Sequence, residues 1–437
     1  MTIFENIWWL LVLIGVMILI HELGHYWAAR LFDVRVETFS FGFGPRLFGF
    51  RRGETDFRFS AILFGGYVKM AGEQPGDDAV SDPRSFLAKP RWQRLIIAFA
   101  GPLMNIVLAV VLLTGLFMVR YPRLPNADGP ATVGHVAIES PAAQAGIREG
   151  DRIIQIENVR DPKWDDILVR EIAGARKHLP VIVERNGEQI RTTVTPVLDE
   201  KTGIGYAGWA EPIEIQVADI VEGMDAARAG LQTGDVLISI NNQPVRTIYK
   251  LHEVIRASEG QPVELVYARN GVRDKVTVTP SFNQEEERWM IGVKLEPKVE
   301  ITRLGLGGAL AESVRHNIRS ATLIFQSLSG IIERRMSAKS LSGPVGIAQI
   351  SGEAARTGAT AFIGLMAMVS LNLAIFNLLP IPILDGGVIL LLLVEMIMRR
   401  DLSMAVKEAV FKVGFVFLMA IVAFVLYNDI SKLLPPG

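Results

Sequence analysis

Ile18-Leu19-Ile20-His21-Glu22-Leu23-Gly24-His25-Tyr26 closes an apolar run that begins near Ile7. It contains H-E-x-x-H. On a helix, positions i and i+4 share one face, so His21 and His25 can both offer ring nitrogens to one Zn²⁺. Glu22 stands beside them as a general base. Ionisable side chains inside a hydrophobic span are costly and usually mark function. The bland alternative is two helix-end histidines that merely reach the headgroup region.

The chain has 437 residues, enough for two to four structural units. Half of it is apolar and its mean hydropathy is +0.31, high for a soluble protein. Net charge is −1, which gives no global electrostatic case for nucleic acid. The chain has no cysteine, which excludes disulfides, thiol nucleophiles and thiolate zinc sites. Met1–Asn6 carries no Lys or Arg and no A-x-A-like site follows the run, so the segment reads as a retained transmembrane helix, not a signal peptide.

The first span is expected at about Ile7–Tyr26. Phe41-Gly42-Phe43-Gly44-Pro45 breaks any helix after it. Thr55–Val68 then alternates at period two and predicts a strand that Gly65-Gly66 ends, before Tyr67-Val68-Lys69-Met70. A hairpin beside a membrane-embedded site must line a cavity or pair with another strand, because lipid tolerates no open edge. A cytoplasmic surface hairpin is the alternative. Ala71–Lys89 reads as a polar loop. The second span, Leu95–Val119, contains Ala100-Gly101-Pro102-Leu103-Met104-Asn105. Small residues there allow close helix contact and Asn105 can hydrogen-bond across helices. Helix glue and support of the site are equally good readings.

Residues 120–298 are polar, β-rich and turn-rich, like a soluble region. A repeat appears at a constant offset of 84. Ala142-Ala143-Gln144-Ala145-Gly146-Ile147 matches Ala226-Ala227-Arg228-Ala229-Gly230-Leu231, Gly150-Asp151 matches Gly234-Asp235, and Arg185-Asn186-Gly187 matches Arg269-Asn270-Gly271. The pattern resembles PDZ domains of the bacterial protease-associated type, modules that can accept a peptide by strand addition. Size gates or spacers that bind nothing tightly are the other reading. Beyond them, Val314, Ile318, Ala321, Phe325, Leu328 and Ile332 make an apolar stripe on a helix too polar to span, expected to lie on the membrane or against the modules.

The third span, about Ala361–Leu379, holds Asn372 and Asn377 and runs into Pro380-Ile381-Pro382-Ile383-Leu384-Asp385-Gly386-Gly387. Irregular backbone at membrane depth implies a cavity or a site. Asp385 is the obvious carboxylate to complete a three-ligand metal site; as a bland alternative it caps the helix Val388–Met398. The last span is about Val410–Leu426. Arg35, Arg46, Arg51, Arg52, Arg58, Lys69, Arg84 and Arg91 all fall between spans one and two, so the positive-inside rule places both termini and the repeats outside.

Together these motifs resemble the site-2 proteases, the intramembrane zinc metalloproteases. The resemblance implies a multi-pass α-helical membrane protein with four transmembrane helices, a membrane-re-entrant β-hairpin and two inserted PDZ domains. The divisions are residues 1–119, 127–210, 211–297, 298–350 and 358–437, with the hairpin at about 55–70. It implies one Zn²⁺ per chain held by His21, His25 and Asp385, with Glu22 as base. Asn377, Pro380 and Pro382 would shape the site and help hold substrate, with Asn372 beside them, and Gly65, Gly66 and Tyr67 would receive the substrate as an added strand. The implied substrates are the transmembrane segment of a pre-trimmed anti-sigma factor and remnant signal peptides, cut by a monomer in a bacterial inner membrane. Val388 departs from relatives that carry a polar residue after Leu-Asp-Gly-Gly. A catalytically inactive PDZ membrane scaffold and a metal transporter are the competing classes; neither accounts for Glu22 beside the first histidine.

Overall fold

The computed structural model describes residues 2–73, 82–125, 129–199, 202–284, 287–337 and 343–433. Residues 74–81 of the expected loop Ala71–Lys89 lie outside them. The chain forms two compact units, one within Met1–Tyr121, Arg303–Ile324 and Leu341–Gly437, the other within Pro122–Thr302 and Phe325–Ser340.

In the first unit, α1 (Thr2–Leu31) leads into the antiparallel hairpin β1 (Val36–Arg52) and β2 (Thr55–Met70), followed by α2 (Arg91–Val119). The hairpin is longer than period-two alternation suggests. The Gly- and Pro-rich run from Phe41 to Pro45 lies inside β1, and Gly65-Gly66 does not end β2, which continues to Met70. The glycines serve close approach. Gly42 has φ +92° with the Ile62 carbonyl against it, and Gly65 has φ +126° with the Phe43 ring over it. A side chain at either position would collide with its neighbour and strain the backbone.

The second unit holds the repeats. The first contains the turn α3 (Pro141–Gln144), the helix α4 (Trp164–Ala173) and strands at Arg152–Ile156, Leu179–Arg185 and Glu188–Val194. The second contains α5 (Asp225–Arg228), α6 (Ile248–Ala257) and strands at Val236–Ile240, Val263–Arg269 and Val272–Val278. Each bound is shifted by 84, and each repeat has its own core: Val133, Ile153, Ile156 and Ile167 in one, Val217, Leu237, Ile240 and Leu251 in the other. The G-D turn recurs with its partner. Asp151 accepts from Arg185 at 2.7 and 2.8 Å, and Asp235 accepts from Arg269 at the same distances.

The remaining helices are α7 (Leu306–Ile332), α8 (Pro344–Thr357), α9 (Ala359–Asn377), α10 (Asp385–Met398) and α11 (Met404–Leu433). Among the described residues, four helices (α1, α2, α9 and α11) are long and apolar enough to cross a membrane. The region expected as one amphipathic helix and a linker holds two helices, and the buried face of α7 is not its apolar stripe. Val314 and Ile318 are exposed, while Ala309 packs on Leu113 and Phe117 of α2 and Ser313 Oγ lies 2.8 Å from Thr114 Oγ1. Small and hydroxyl-bearing residues let the two helix backbones approach.

Asp151 is buried. Burial by itself would raise its pKa, but hydrogen bonds from Arg185 and the Arg148 backbone hold it below the usual carboxylate range. A depressed folded pKa gives stability that is present above the unfolded value and lost as pH falls through the folded one. Arg185→Ala is therefore expected to destabilise the first repeat by about 3 kcal/mol near neutral pH, and by less in acid. Hydrogen exchange within residues 129–199 of the full chain checks both.

Candidate active site

The site begins where α1 and α2 cross. Gly24 lies against the Ala100 carbonyl, and Gly101 lies under the His25 ring; a Cβ on either glycine would collide with its neighbour. That approach lets the Ile97 carbonyl accept from His25 Nδ1–H at 2.8 Å. It also brings Asn105 to His21, with Nδ2 3.3 Å from Nδ1. Ala-Gly-Pro-x-x-Asn thus does both things open from sequence: it packs the helices and supports the histidines.

Asp385 arrives from the other end of the chain. Between α9 and α10 the prolines interrupt the helix, and Ile383 sits at φ +86°. That is a rare conformation for a β-branched residue, and such strain persists only where surrounding structure enforces it. The N-cap of α10 is Leu384 rather than Asp385, whose carboxylate turns to the histidines. Oδ2 is 3.1 Å from His21 Nε2 and Oδ1 is 3.3 Å from His25 Nε2; the two Nε2 atoms are 3.3 Å apart. One ligand atom from each of the three residues lies within 4.8 Å of the others, and zinc bonds of about 2.0–2.1 Å give tetrahedral edges of about 3.3 Å, so this donor set is of a kind that fits zinc. Buried Asn105 gives a second indication of fit, because its Oδ1 has no partner among the described residues. A half-turn of the carboxamide sets Oδ1 on His21 Nδ1–H and leaves Nε2 to present its lone pair to a metal.

The three residues line a cavity of about 500 Å³ together with Glu22, Gly65, Gly66, Tyr67 and Asn377. Val388 also lines it. Asn372, Pro380 and Pro382 are not among its lining residues; Pro382 instead packs on Gly414 of α11. Glu22 takes a hydrogen bond from the backbone of Val68, which ties this carboxylate to β2. Sequence reasoning missed the far wall of the cavity. There Glu395, fully buried, accepts from Lys407 Nζ at 2.7 Å and Leu402 N at 3.0 Å, and Arg94 reaches Asp401 at 3.0 Å. The signal was a lone acid within Leu390-Leu391-Leu392-Leu393-Val394-Glu395-Met396.

A family model described as peptidase family M50 matches residues 9–421. The chain belongs to this family, the site-2 proteases. Among M50 relatives, a putative zinc metalloprotease of Xylella fastidiosa is 32% identical, with 98% of this chain and 99% of that protein covered. One from Treponema pallidum is 31% identical over 97% and 98%. The regulator of sigma-E protease of Salmonella typhimurium is 30% identical over 99% and 100%. A solved PDZ domain of an SdrC-like protein from Listeria monocytogenes is similar at 16% identity, covering 20% of this chain and 90% of its own, with a TM-score of 0.18. The M50 chain described here is accordingly a site-2-type zinc metallopeptidase.

Asn105→Leu is expected to weaken zinc retention by about 10- to 100-fold, because it removes the acceptor that orients His21. Asn105→Asp keeps an acceptor and should retain the metal. Competition with a chelator, read as zinc content of the purified chain, checks both; equal loss in the two variants would rule out the acceptor role.

Proposed function

We propose that this metallopeptidase hydrolyses a peptide bond within the transmembrane segment of single-span membrane proteins, with one Zn²⁺ per chain held by His21, His25 and Asp385. The carrying observation is their convergence beside Glu22 on a cavity that β2 also lines. When bound, zinc supplies Lewis acidity toward the scissile carbonyl and lowers the pKa of water to about 7. The Glu22 carboxylate takes the proton of the attacking water and returns it to the leaving amine. A helical substrate hides its peptide groups in its own hydrogen bonds and must unwind to react. Pairing with β2 around Gly65, Gly66 and Tyr67 offsets those lost bonds where lipid offers none. On this reading the hairpin is re-entrant, Asn377 contacts substrate, and Pro380, Pro382 and Asn372 shape the approach from outside the cavity wall.

The name of the Salmonella relative supports the second cut of an anti-sigma factor as the physiological reaction, with remnant signal peptides as a further substrate class. The repeats are two PDZ modules that exclude untrimmed outer domains. The chain works as a monomer in a bacterial inner membrane, with its termini and the repeats outside.

The test is cleavage of a purified single-span peptide in detergent. Glu22→Gln is expected to lose at least about a hundredfold in rate while keeping fold and zinc, and a chelator should silence the wild type. Wild-type cleavage by Glu22→Gln would remove the assigned base. Deleting residues 129–297 should permit cutting of substrates with bulky outer domains; if they stay uncut, the gate reading fails.

A further inference from the structure

At the offset of 84, the loop Tyr206–Trp209 of the first repeat matches Met290–Val293 of the second. The loops share their conformation: Gly208 has φ +82° and Gly292 has φ +84°. Both are held the same way, by Ala142 N–H on the Ala207 carbonyl at 2.9 Å and Ala226 N–H on the Ile291 carbonyl at 3.0 Å. What faces them differs. In the first repeat the Glu171 carboxylate, from α4, lies in the loop. It accepts from Ala207 N–H at 2.7 Å and from Trp209 Nε1–H at 2.9 Å, with a further backbone bond from Gly208. In the second repeat position 255 is Ile and position 293 is Val, and a cavity of about 340 Å³ runs along α6, lined by Leu251, Ile255, Trp289, Ile291 and Val293.

A carboxylate is costly to bury unless its oxygens are satisfied, and here the Ala207 amide and the Trp209 indole each satisfy one of them. The Ala207–Trp209 loop is therefore a built carboxylate receptor whose occupant belongs to the same chain. Trp209, itself buried, fills the space that Val293 leaves open in the other copy. A tethered carboxylate acts at an effective concentration of at least about millimolar, so an external one must displace it.

We propose that the first repeat is self-liganded: Glu171 holds the place of a peptide carboxylate and Trp209 fills the groove beside it, so this repeat takes no peptide terminus from outside. The inference rests on the reading of the repeats as modules that accept peptides. It makes the two copies unequal, one a fixed structural element and one with an open groove.

The test uses the full chain in detergent and a synthetic peptide with a photo-crosslinking residue and a free C-terminal valine, compared with its C-terminal amide. Crosslinks are mapped by mass spectrometry. Wild type is expected to show no carboxylate-dependent labelling of Trp164–Ala173 or residues 206–210. Glu171→Ala should raise it at least tenfold, and the amide should not label. Glu171→Ile combined with Trp209→Val, which reproduces the side chains of the second repeat and keeps the site apolar, should do the same and serves if the single variant misfolds. Labelling of the first repeat in wild type overturns the inference and leaves the module reading standing. No labelling of either repeat in any sample overturns the module reading and the inference with it.

Discussion

Three polar side chains, two imidazoles and a carboxylate, must meet at a depth where water cannot solvate them. That demand organises the first unit. An unpaired charge in apolar surroundings is costly, and each donor here is therefore met by another group. Asp385 lies within 3.3 Å of both histidines, His25 donates to Ile97, and His21 faces Asn105. The contacts of His25 with Ile97 and of His21 with Asn105 rest on the approach of α1 to α2 that Gly24 and Gly101 allow. The two glycines are thus part of the site although neither carries a functional group.

The hairpin answers a different constraint. Extended backbone needs hydrogen-bond partners where lipid offers none. β2 passes beside Glu22 with Gly66 close to it, so the strand and this carboxylate are positioned by the same contacts. Any side chain at Gly66 would press on Ile18 and Glu22. The buried Glu395 cluster stabilises the opposite wall, joining α10 to α11 through Lys407, with Arg94 of α2 facing both Glu395 and Asp401. The cavity thus combines apolar walls with a few fixed polar groups.

The repeats show how far a duplicated fold can diverge with its frame kept. Core positions, the Asp–Arg pair and the glycine loop all recur at one offset. The groove differs at Glu171 against Ile255 and Trp209 against Val293. Core positions are interchangeable apolar groups, whereas a charge placed in a groove changes what the groove can hold.

Local patterns were enough to read the four apolar spans, the repeat, H-E-x-x-H and Asp385 as its partner, because hydrophobic periodicity and ligand spacing are properties of neighbouring residues. The packing of α7 on α2 through Ala309 and Ser313 was not legible, since small residues leave no periodic signal. Nor were the length of the hairpin, the separation of Asn372, Pro380 and Pro382 from the cavity lining, or the Glu395 cluster. Each depends on which distant backbone comes near. Sequence alone determined that this is a membrane protein carrying a metal-binding pair and two related β-rich modules. Tertiary structure decided that His21, His25 and Asp385 share one point, and that Glu171 occupies the loop of the first module, because contacts across 364 residues and across 36 are set by packing and leave no mark in local sequence.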